Sequence, residues 1–381
     1  MRILDPMAGS GTTVVAARLH GHQAVGFDTD PLALLIAQTW CSSVNPEALR
    51  LHAKKVLNDA RKRYRGLTQA EAYPQAADDE TRAFIRFWFD QTARRQLAAL
   101  SQAISRVDDS TNRRFLWSAF SRMIITKQAG ASLAMDISHS RPHKTYRLAP
   151  LRPLERFLVA VDAVLRASPF SSGKVLPKAV VRKADARKLP LDDDSIDLVV
   201  TSPPYLNAID YLRGHKFSLV WMGHSIEEIR HLRSQNIGTE SSRLSSPNTD
   251  RTGLAIKKMG KTNRLPERSR RMLARYVNDM NIVMAEIHRV LARKGEAVLV
   301  VGDSTIQGIF VRNSRAIAYL GRANGLTLRS VRRRLLRENR RYLPPPEKRI
   351  SGKLLRSRMR EEVILTFGKN LEAGTKLGVH R

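Results

Sequence analysis

The segment that most restricts the fold is "MRILDPMAGSGTTVVAARLHGHQAVGFDTDPLALLIAQTW" at residues 1–40. A short apolar strand is followed by a turn that contains Gly9 and Gly11, and then by residues with helical spacing up to Gly21. A second apolar run, "AVGF", stops at Asp28. Because a short strand–helix–strand unit of this kind joins parallel strands, the sequence predicts an α/β fold with a parallel sheet.

The glycine turn "DPMAGSGTT" lies between a predicted strand and a predicted helix, where backbone N–H groups converge on an anionic or polar ligand. A nucleotide-binding P-loop requires a Lys before its Ser or Thr, and this turn has none. The dinucleotide-binding fingerprint requires a third glycine where this chain has Val14. The remaining candidate ligand is S-adenosylmethionine, and Asp28 at the end of the next strand is then placed to accept hydrogen bonds from its ribose.

A second motif, "TSPPY" at residues 201–205, follows the strand-like run "IDLVV". Two consecutive prolines cannot extend a sheet ladder, because proline has no N–H and a fixed φ. The pair therefore ends the strand in a rigid corner, where the Pro203 carbonyl can accept a hydrogen bond without a competing donor. The side chain of Ser202 can supply a second hydrogen-bonding group at this corner.

"DPMAGSGTT" followed by "TSPPY" resembles the paired signatures of the DNA amino-methyltransferases, DPFxGxGT and [DNS]-PP-[YFW]. The resemblance covers about residues 1–45 and 177–370 and implies a Rossmann-like, S-adenosylmethionine-dependent fold. Met7 stands where that family usually has an aromatic residue. No metal is implied. The residues that the resemblance assigns to the cofactor are Asp5, Pro6, Met7, Gly9, Gly11, Thr12, Thr13, Asp28, Asp185 and Ala186.

That family methylates the exocyclic amino group of cytosine or adenine, so the resemblance makes the corner the catalytic site. Acceptors that bind the amino hydrogens would free its delocalised lone pair, and Tyr205 would stack on a base swung out of the duplex. Ser at the first motif position favours N4 of cytosine over N6 of adenine. N6 methylation of adenine in DNA or RNA, and a catalytically silent DNA-binding subunit, stay as alternatives. The catalytic candidates are Ser202, Pro203, Pro204 and Tyr205.

The charge of the chain points to a polyanionic partner. Lys and Arg number 66 against 35 acidic residues, a net charge of +31 that is far more than solubility requires. Residues 231–271 hold ten basic and three acidic side chains, and residues 329–360 hold thirteen and two. We expect both segments to contact DNA phosphates, whereas residues 1–45, with two basic and three acidic side chains, suit a small-molecule pocket.

The remaining composition bears on location and partners. No apolar stretch approaches a membrane span, and Cys41 is the only cysteine, which excludes an intrachain disulfide framework. We therefore expect a cytoplasmic, nucleoid-associated protein with no membrane partner, and a restriction endonuclease is a candidate partner. Only four residues precede Asp5, so the cofactor-covering segment usual in the family is either supplied by the C-terminal end or lost because the chain starts late.

The pattern along the chain predicts four parts. These are residues 1–45 as the first part of the methyltransferase core, 46–176 as a helical insertion that could recognise the target sequence, 177–370 as the second part of the core, and 371–381 as a tail. Aromatic residues of the insertion at helical spacing, among them Phe84, Phe87 and Trp88, are expected in its core. Residues 234–264 are expected to form a mobile loop, and a helix that starts near residue 272 is expected to end at Gly295.

Overall fold

The computed structural model describes residues 1–126, 130–135, 137, 142–170, 176–204, 206, 210–238, 249–336 and 361–369. Its strands are β1 (Arg2–Asp5), β2 (Gln23–Asp28), β3 (Ala134–Met135), β4 (His143–Lys144), β5 (Ala179–Lys183), β6 (Ile196–Thr201), β7 (Leu291–Gly302), β8 (Ser304–Ile306), β9 (Ile309–Val311), β10 (Thr327–Leu335) and β11 (Glu361–Gly368).

The described residues also form a set of α-helices. They are α1 (Thr12–Leu19), α2 (Pro31–Cys41), α3 (Pro46–Gly66), α4 (Asp79–Trp88), α5 (Gln91–Ser105), α6 (Ser110–Ile124), α7 (Pro153–Ala167), α8 (Tyr211–Leu219), α9 (Ile226–Gln235), α10 (Thr249–Lys258), α11 (Glu267–Val290) and α12 (Asn313–Ala323). Short 3₁₀ turns cover Val220–Met222 and Thr262–Arg264.

Seven strands form one sheet in the order β10-β11-β7-β6-β1-β2-β5. The strands β7, β6, β1, β2 and β5 are parallel to one another. Strand β11 lies between β7 and β10 and runs antiparallel to both. This is the Rossmann-like, mostly parallel sheet that the sequence predicts. Strands β11 and β10 extend the sheet beyond β7, and β7 is parallel to β6, the strand that precedes the proline motif.

Most helices in the first half of the chain begin at an Asp or Asn whose carboxylate or amide oxygen accepts hydrogen bonds from the first-turn amides. Such caps satisfy donors that have no partner within the helix. Two of these helices, α2 and α3, also have a proline at their first position, where a missing N–H costs nothing. The capping residues are Asp30, Asn45, Asp78, Asp90 and Asp109.

In the described part of the chain, three clusters of buried apolar side chains form the core. One packs α11 and α12 against the sheet, with Met280, Val283 and Ile287 fully buried. A small second cluster joins α1 and α2 to β1, β2 and β5. The largest joins helices α3 to α7 to α8, and Leu32 of α2 is part of it. Helix α2 therefore lies between the sheet and the helices that follow it.

Three sequence predictions about local structure are wrong. Residues 249–264, expected in a mobile loop, form α10 and a 3₁₀ turn; residues 239–248 lie outside the described residues. Gly295 does not end a helix, because α11 stops at Val290 and Gly295 lies within β7. Phe87 is not a core residue: 54% of it is exposed, although Ile85 and Phe89 beside it are buried.

Within the described ranges, no helix is both long and apolar enough to cross a membrane. The same ranges contain no group of three His, Cys, Asp or Glu side chains arranged to hold a metal ion.

Candidate active site

The sheet has its topological switch point between β1 and β6. From β1 the chain continues outward through β2 and β5 on one side, while β6 continues through β7 on the other. In open α/β sheets, ligands bind in the crevice at the carboxyl ends of the strands beside such a point. The glycine turn follows the end of β1, and the proline motif follows the end of β6. The fold therefore brings the two motifs to the same edge of adjacent parallel strands.

A hydrogen bond joins the two strand ends directly. The hydroxyl of Thr201, the last residue of β6, donates to Oδ1 of Asp5, the last residue of β1, over 2.7 Å. Both side chains are buried. Burial raises the pKa of Asp5 to about 6, although hydrogen bonds from Thr201, Thr13 and the Met7 amide offset part of that effect. The sequence did not predict this contact. The placing of β1 and β6 as adjacent strands was the signal that could have suggested it.

The glycine turn combines a packing constraint with an open face. Gly11 has φ +83°, and a Cβ added there would lie 2.8 Å from the Cβ of Ala37 on α2. Gly9 has φ +50°, but a Cβ added there would meet nothing within 4 Å. Helix α1 begins directly after Gly11, and this N-cap residue makes no side-chain hydrogen bond to the amides of the first turn. The first-turn amides of α1 are thus available to an anionic ligand group.

Asp28 connects the glycine turn to the end of β2. Its Oδ2 accepts from the Gly9 amide over 2.8 Å, and its Oδ1 accepts from the Asp30 amide over 2.9 Å. Burial raises the pKa of Asp28, and these two amide hydrogen bonds act in the opposite direction. Each carboxylate oxygen can accept more than one hydrogen bond, so the group retains capacity for a ligand hydroxyl. Asp28 and the turn therefore border one space.

The proline corner is described as far as Pro204. Pro203 is buried and Pro204 half-buried, whereas Ser202 is exposed. The hydroxyl of Ser202 donates to the Val300 carbonyl of β7 over 3.2 Å. This donation directs the hydroxyl hydrogen away from any other partner and leaves the oxygen lone pairs as acceptors. Tyr205, the fourth catalytic candidate, lies outside the described residues, as do residues 207–209.

Asp185 lies just beyond β5, at the same end of the sheet as Asp28. Both of its carboxylate oxygens accept from the Arg187 guanidinium, which also contacts Asp279 over 2.9 Å and the Gln235 carbonyl over 2.6 Å. Ala186 is buried. Any ligand group that approaches the Asp185 carboxylate must share it with Arg187, a constraint that the sequence did not indicate.

Helix α8, which follows the proline corner, is fixed to the N-terminus of α2 by an ion pair. His215 Nδ1 lies 2.6 Å from Oδ2 of Asp30, and the same carboxylate caps α2. Burial opposes charge on His215, but the Asp30 carboxylate outweighs it and raises the His215 pKa. Trp221, further along, is buried against the helices rather than the sheet.

The described parts of the two basic segments lie on separate elements. In the first, Lys257 and Lys258 end α10, and Arg270 and Arg271 lie near the start of α11. In the second, β10 is the edge strand of the sheet, and Arg332, Arg333 and Arg334 on it are all exposed. Residues 239–248 and 337–360, which carry much of the predicted charge, are outside the described ranges.

Comparison with known proteins adds a relationship in sequence. No protein-family model matches the chain. The chain is 24% identical over 249 residues to the Type II methyltransferase M.MvaI of Kocuria varians, covering 60% of this chain and 52% of that protein. This chain is thus similar in sequence to Type II methyltransferases. A second, M.BsoBI of Geobacillus stearothermophilus, is 22% identical over 263 residues, covering 62% and 50%. The chain spans about half the length of these curated relatives.

Solved structures give a weaker likeness. A SAM-dependent methyltransferase from Methanosarcina mazei aligns over 97% of this chain and 93% of its own, with 10% identity and a TM-score of 0.36. The YcgJ protein from Bacillus subtilis aligns over 97% and 92%, with 9% identity and a TM-score of 0.33. TM-scores this low indicate only loose overall similarity, so the fold assignment depends on the sheet order described above.

Proposed function

We propose that this protein is an S-adenosylmethionine-dependent DNA methyltransferase that transfers a methyl group to the exocyclic N4 amino group of cytosine. The observation that carries the proposal is the junction of the two motifs at the switch point, where Thr201 hydrogen-bonds to Asp5. The similarity to two Type II methyltransferases supports a DNA methyltransferase, and the choice of cytosine N4 is carried by Ser202 alone. A restriction–modification setting, with a nuclease partner and a cytoplasmic, nucleoid-associated location, is part of the proposal.

The residues of the glycine turn have the chemistry that the cofactor needs. The free amides at the start of α1 suit the methionine carboxylate, and the Asp28 carboxylate suits the two ribose hydroxyls. Asp185 and Ala186 would lie near the adenine, with Arg187 sharing the Asp185 carboxylate. The open face of Gly9 leaves room for close approach of a ligand. When bound, S-adenosylmethionine would supply a methyl group activated by its sulfonium.

The proline corner would prepare the target amino group. An exocyclic amino nitrogen is a poor nucleophile, because its lone pair is delocalised into the base. The Pro203 carbonyl and the Ser202 hydroxyl oxygen would each accept one of its two hydrogens, which draws the nitrogen toward a tetrahedral shape. Ser202 is suited to this role because its own hydrogen is directed to Val300. Transfer by direct displacement then depends on positioning more than on a strong base.

Tyr205 would stack on the extruded base, since the amino group cannot be reached inside a duplex. The two prolines exclude competing donors, because neither has an N–H that could donate to the Pro203 carbonyl. The proton released after transfer needs no dedicated base, because the methylated amino group is acidic while it carries the extra charge and can pass its proton to solvent. This division of roles leaves Asp5 and Thr201 to hold the two strand ends in register.

The decisive experiment is incubation of the purified protein with isotopically labelled S-adenosylmethionine and duplex DNA, followed by mass analysis of the nucleosides. The expected product is N4-methylcytosine. N6-methyladenine alone would refute the cytosine assignment while keeping the reaction class, and methylation of RNA but not DNA would redirect the substrate. If labelled cofactor binds but no product forms on any nucleic acid, the protein is a silent DNA-binding subunit and the proposed activity is wrong.

A further inference from the structure

A cavity of 580 Å³ lies among α4, α8 and α9, and neither sequence motif contributes to it. Its volume falls within the range of small-molecule sites. Its walls combine aromatic rings with cationic side chains. The lining residues that matter to the argument are Phe84, Phe87, Trp88, Arg213, Lys216 and Arg233.

The aromatic wall is formed by α4. Phe87 is 54% exposed, an unusual state for a large aromatic ring, and its centroid lies 4.9 Å from that of Trp88 in an edge-on arrangement. Phe84 and Trp88 are half-buried and pack on Phe217 of α8, with centroids 5.2 and 5.0 Å away. The packing underneath holds the rings in place, and Phe87 keeps more than half of its surface exposed. Such a wall is a preformed stacking surface.

The cationic wall is formed by α8 and α9. Lys216 has its Nζ 5.0 Å from the Phe84 ring centroid, and among the described residues no carboxylate lies within ion-pair distance of it. Burial lowers the pKa of Lys216, and the nearby Arg213 and Arg233 add to the effect. Asp210 lies 3.5 Å from Arg213 and 2.5 Å from Arg233. One carboxylate thus faces two guanidiniums, which leaves an excess of positive charge.

Two further pairs complete the electrostatics of the cavity. Arg230 pairs with Glu80, the only acidic residue among those that line it. Lys144, which is not one of the lining residues, has its ammonium 4.9 Å from the centroid of the Phe87 ring. Four cationic side chains and one carboxylate therefore line the cavity. The alternation of cations and rings matches what a nucleotide offers, namely a phosphate next to a flat base.

We propose that this cavity binds one unpaired nucleotide of the DNA strand, with its base against Phe87 and Trp88 and its phosphate against Lys216 and the neighbouring arginines. The inference rests on the proposed function, since it takes DNA as the substrate. Helix α8 gives the connection: it begins six residues after Tyr205, and its His215 is bound to Asp30 beside the candidate cofactor turn. A strand opened to release the target base would place its neighbours within reach of this helix.

The test uses the full chain and a short fluorescent single-stranded oligodeoxynucleotide, in an intact form and an abasic form, with affinity measured by fluorescence anisotropy. Phe87→Ala is expected to weaken binding of the intact strand by about fivefold or more and to abolish the preference for intact over abasic DNA. Lys216→Met is expected to reduce the slope of log affinity against log salt by about one. Phe310→Ala, at an exposed phenylalanine of β9, and Lys55→Met, on α3, are matched controls and should change neither property.

A second measurement avoids variants altogether. Photocrosslinking of wild-type protein to a strand that contains 5-iodouracil, followed by trypsin digestion, should label the peptide Phe87–Arg94. Crosslinks confined to other peptides, or wild-type affinity in both cavity variants, would overturn the inference. If wild-type protein methylates DNA and the cavity variants bind like wild type, only this inference fails. If wild-type protein neither binds S-adenosylmethionine nor methylates DNA, the proposed function fails first.

Discussion

The two glycines of the turn after β1 should respond differently to the same substitution. Gly11→Ala places a methyl group 2.8 Å from the Ala37 Cβ and 3.0 Å from the Ala37 Cα, at a φ of +83°. A left-handed conformation costs a non-glycine residue about 1–2 kcal/mol. Overpacking against helix backbone adds about 1–3 kcal/mol. We therefore expect Gly11→Ala to lower the free energy of unfolding by roughly 2–5 kcal/mol.

Gly9→Ala is the matched control for that stability loss. Its φ is +50°, and the added methyl group would meet nothing within 4 Å. The cost in the free energy of unfolding should therefore be only the backbone part, about 1–2 kcal/mol. If the open face at Gly9 is the approach to the cofactor, this variant should nevertheless lose most of its affinity for S-adenosylmethionine. The two variants thus separate packing from binding.

Urea denaturation followed by circular dichroism measures the first effect, and isothermal titration calorimetry with S-adenosylmethionine measures the second. The calorimetry on Gly9→Ala is done at a temperature where circular dichroism shows the variant folded. A Gly11→Ala variant whose free energy of unfolding lies within about 1 kcal/mol of wild type would refute the packing argument, because that argument requires a larger loss. A Gly9→Ala variant that binds the cofactor as tightly as wild type would refute the position assigned to the ligand.

Three further predictions concern the site and the DNA partner. Ser202→Ala should lower methyl-transfer turnover roughly 3- to 10-fold, the worth of one hydrogen bond, with cofactor affinity unchanged; equal turnover in single-turnover assays would contradict the acceptor role. Because the folded pKa of Asp5 is about 6 against an ordinary 3.8, the folded state binds the proton more tightly, so the contribution of Asp5 to stability is largest below pH 4 and falls by about 3 kcal/mol as the pH rises to 7. Asp5→Asn should remove that fall in urea denaturation across this range, and an unchanged pH profile would show that Asp5 is not the group responsible. Affinity for duplex DNA should fall about a thousandfold between about 50 and about 200 mM salt, as for about six phosphate contacts, whereas a flat response in anisotropy titrations would exclude the basic segments as the DNA surface.

Local sequence signals predicted the framework well. The strand–turn–helix–strand order at the start of the chain has a strong glycine signal, and the parallel pairing of β1 with β2 follows from the rules for such units. Those rules do not cover the two last strands, β10 and β11, which pair antiparallel. Gly295 was misassigned because a glycine after an amphipathic helix usually marks the end of that helix. Here β7 begins directly after Val290 and continues through Gly295. The strand pairing of β7 outweighed the local preference.

Contacts between distant parts of the chain were out of reach of the sequence. The Thr201–Asp5 hydrogen bond spans 196 positions, and the His215–Asp30 contact spans 185. Each depends on which strands and helices become neighbours, and no residue pattern encodes that directly. Phe87 shows the same limit, since its spacing is that of a core residue but its ring faces a cavity that only the packing of α4 against α8 and α9 creates. The roles of the candidate residues in binding and catalysis stay predictions.

The central claim is that a sulfonium methyl donor and an extruded cytosine meet where β1 and β6 end. The most direct measurement is nucleoside mass analysis after the protein has acted on duplex DNA with deuterium-labelled S-adenosylmethionine, run beside a variant with Pro203→Ala. The account predicts labelled N4-methylcytosine from the wild-type protein and far less from the variant. Labelled product of equal yield from both proteins, or no labelled nucleoside from wild-type protein that binds the cofactor and DNA, would contradict it.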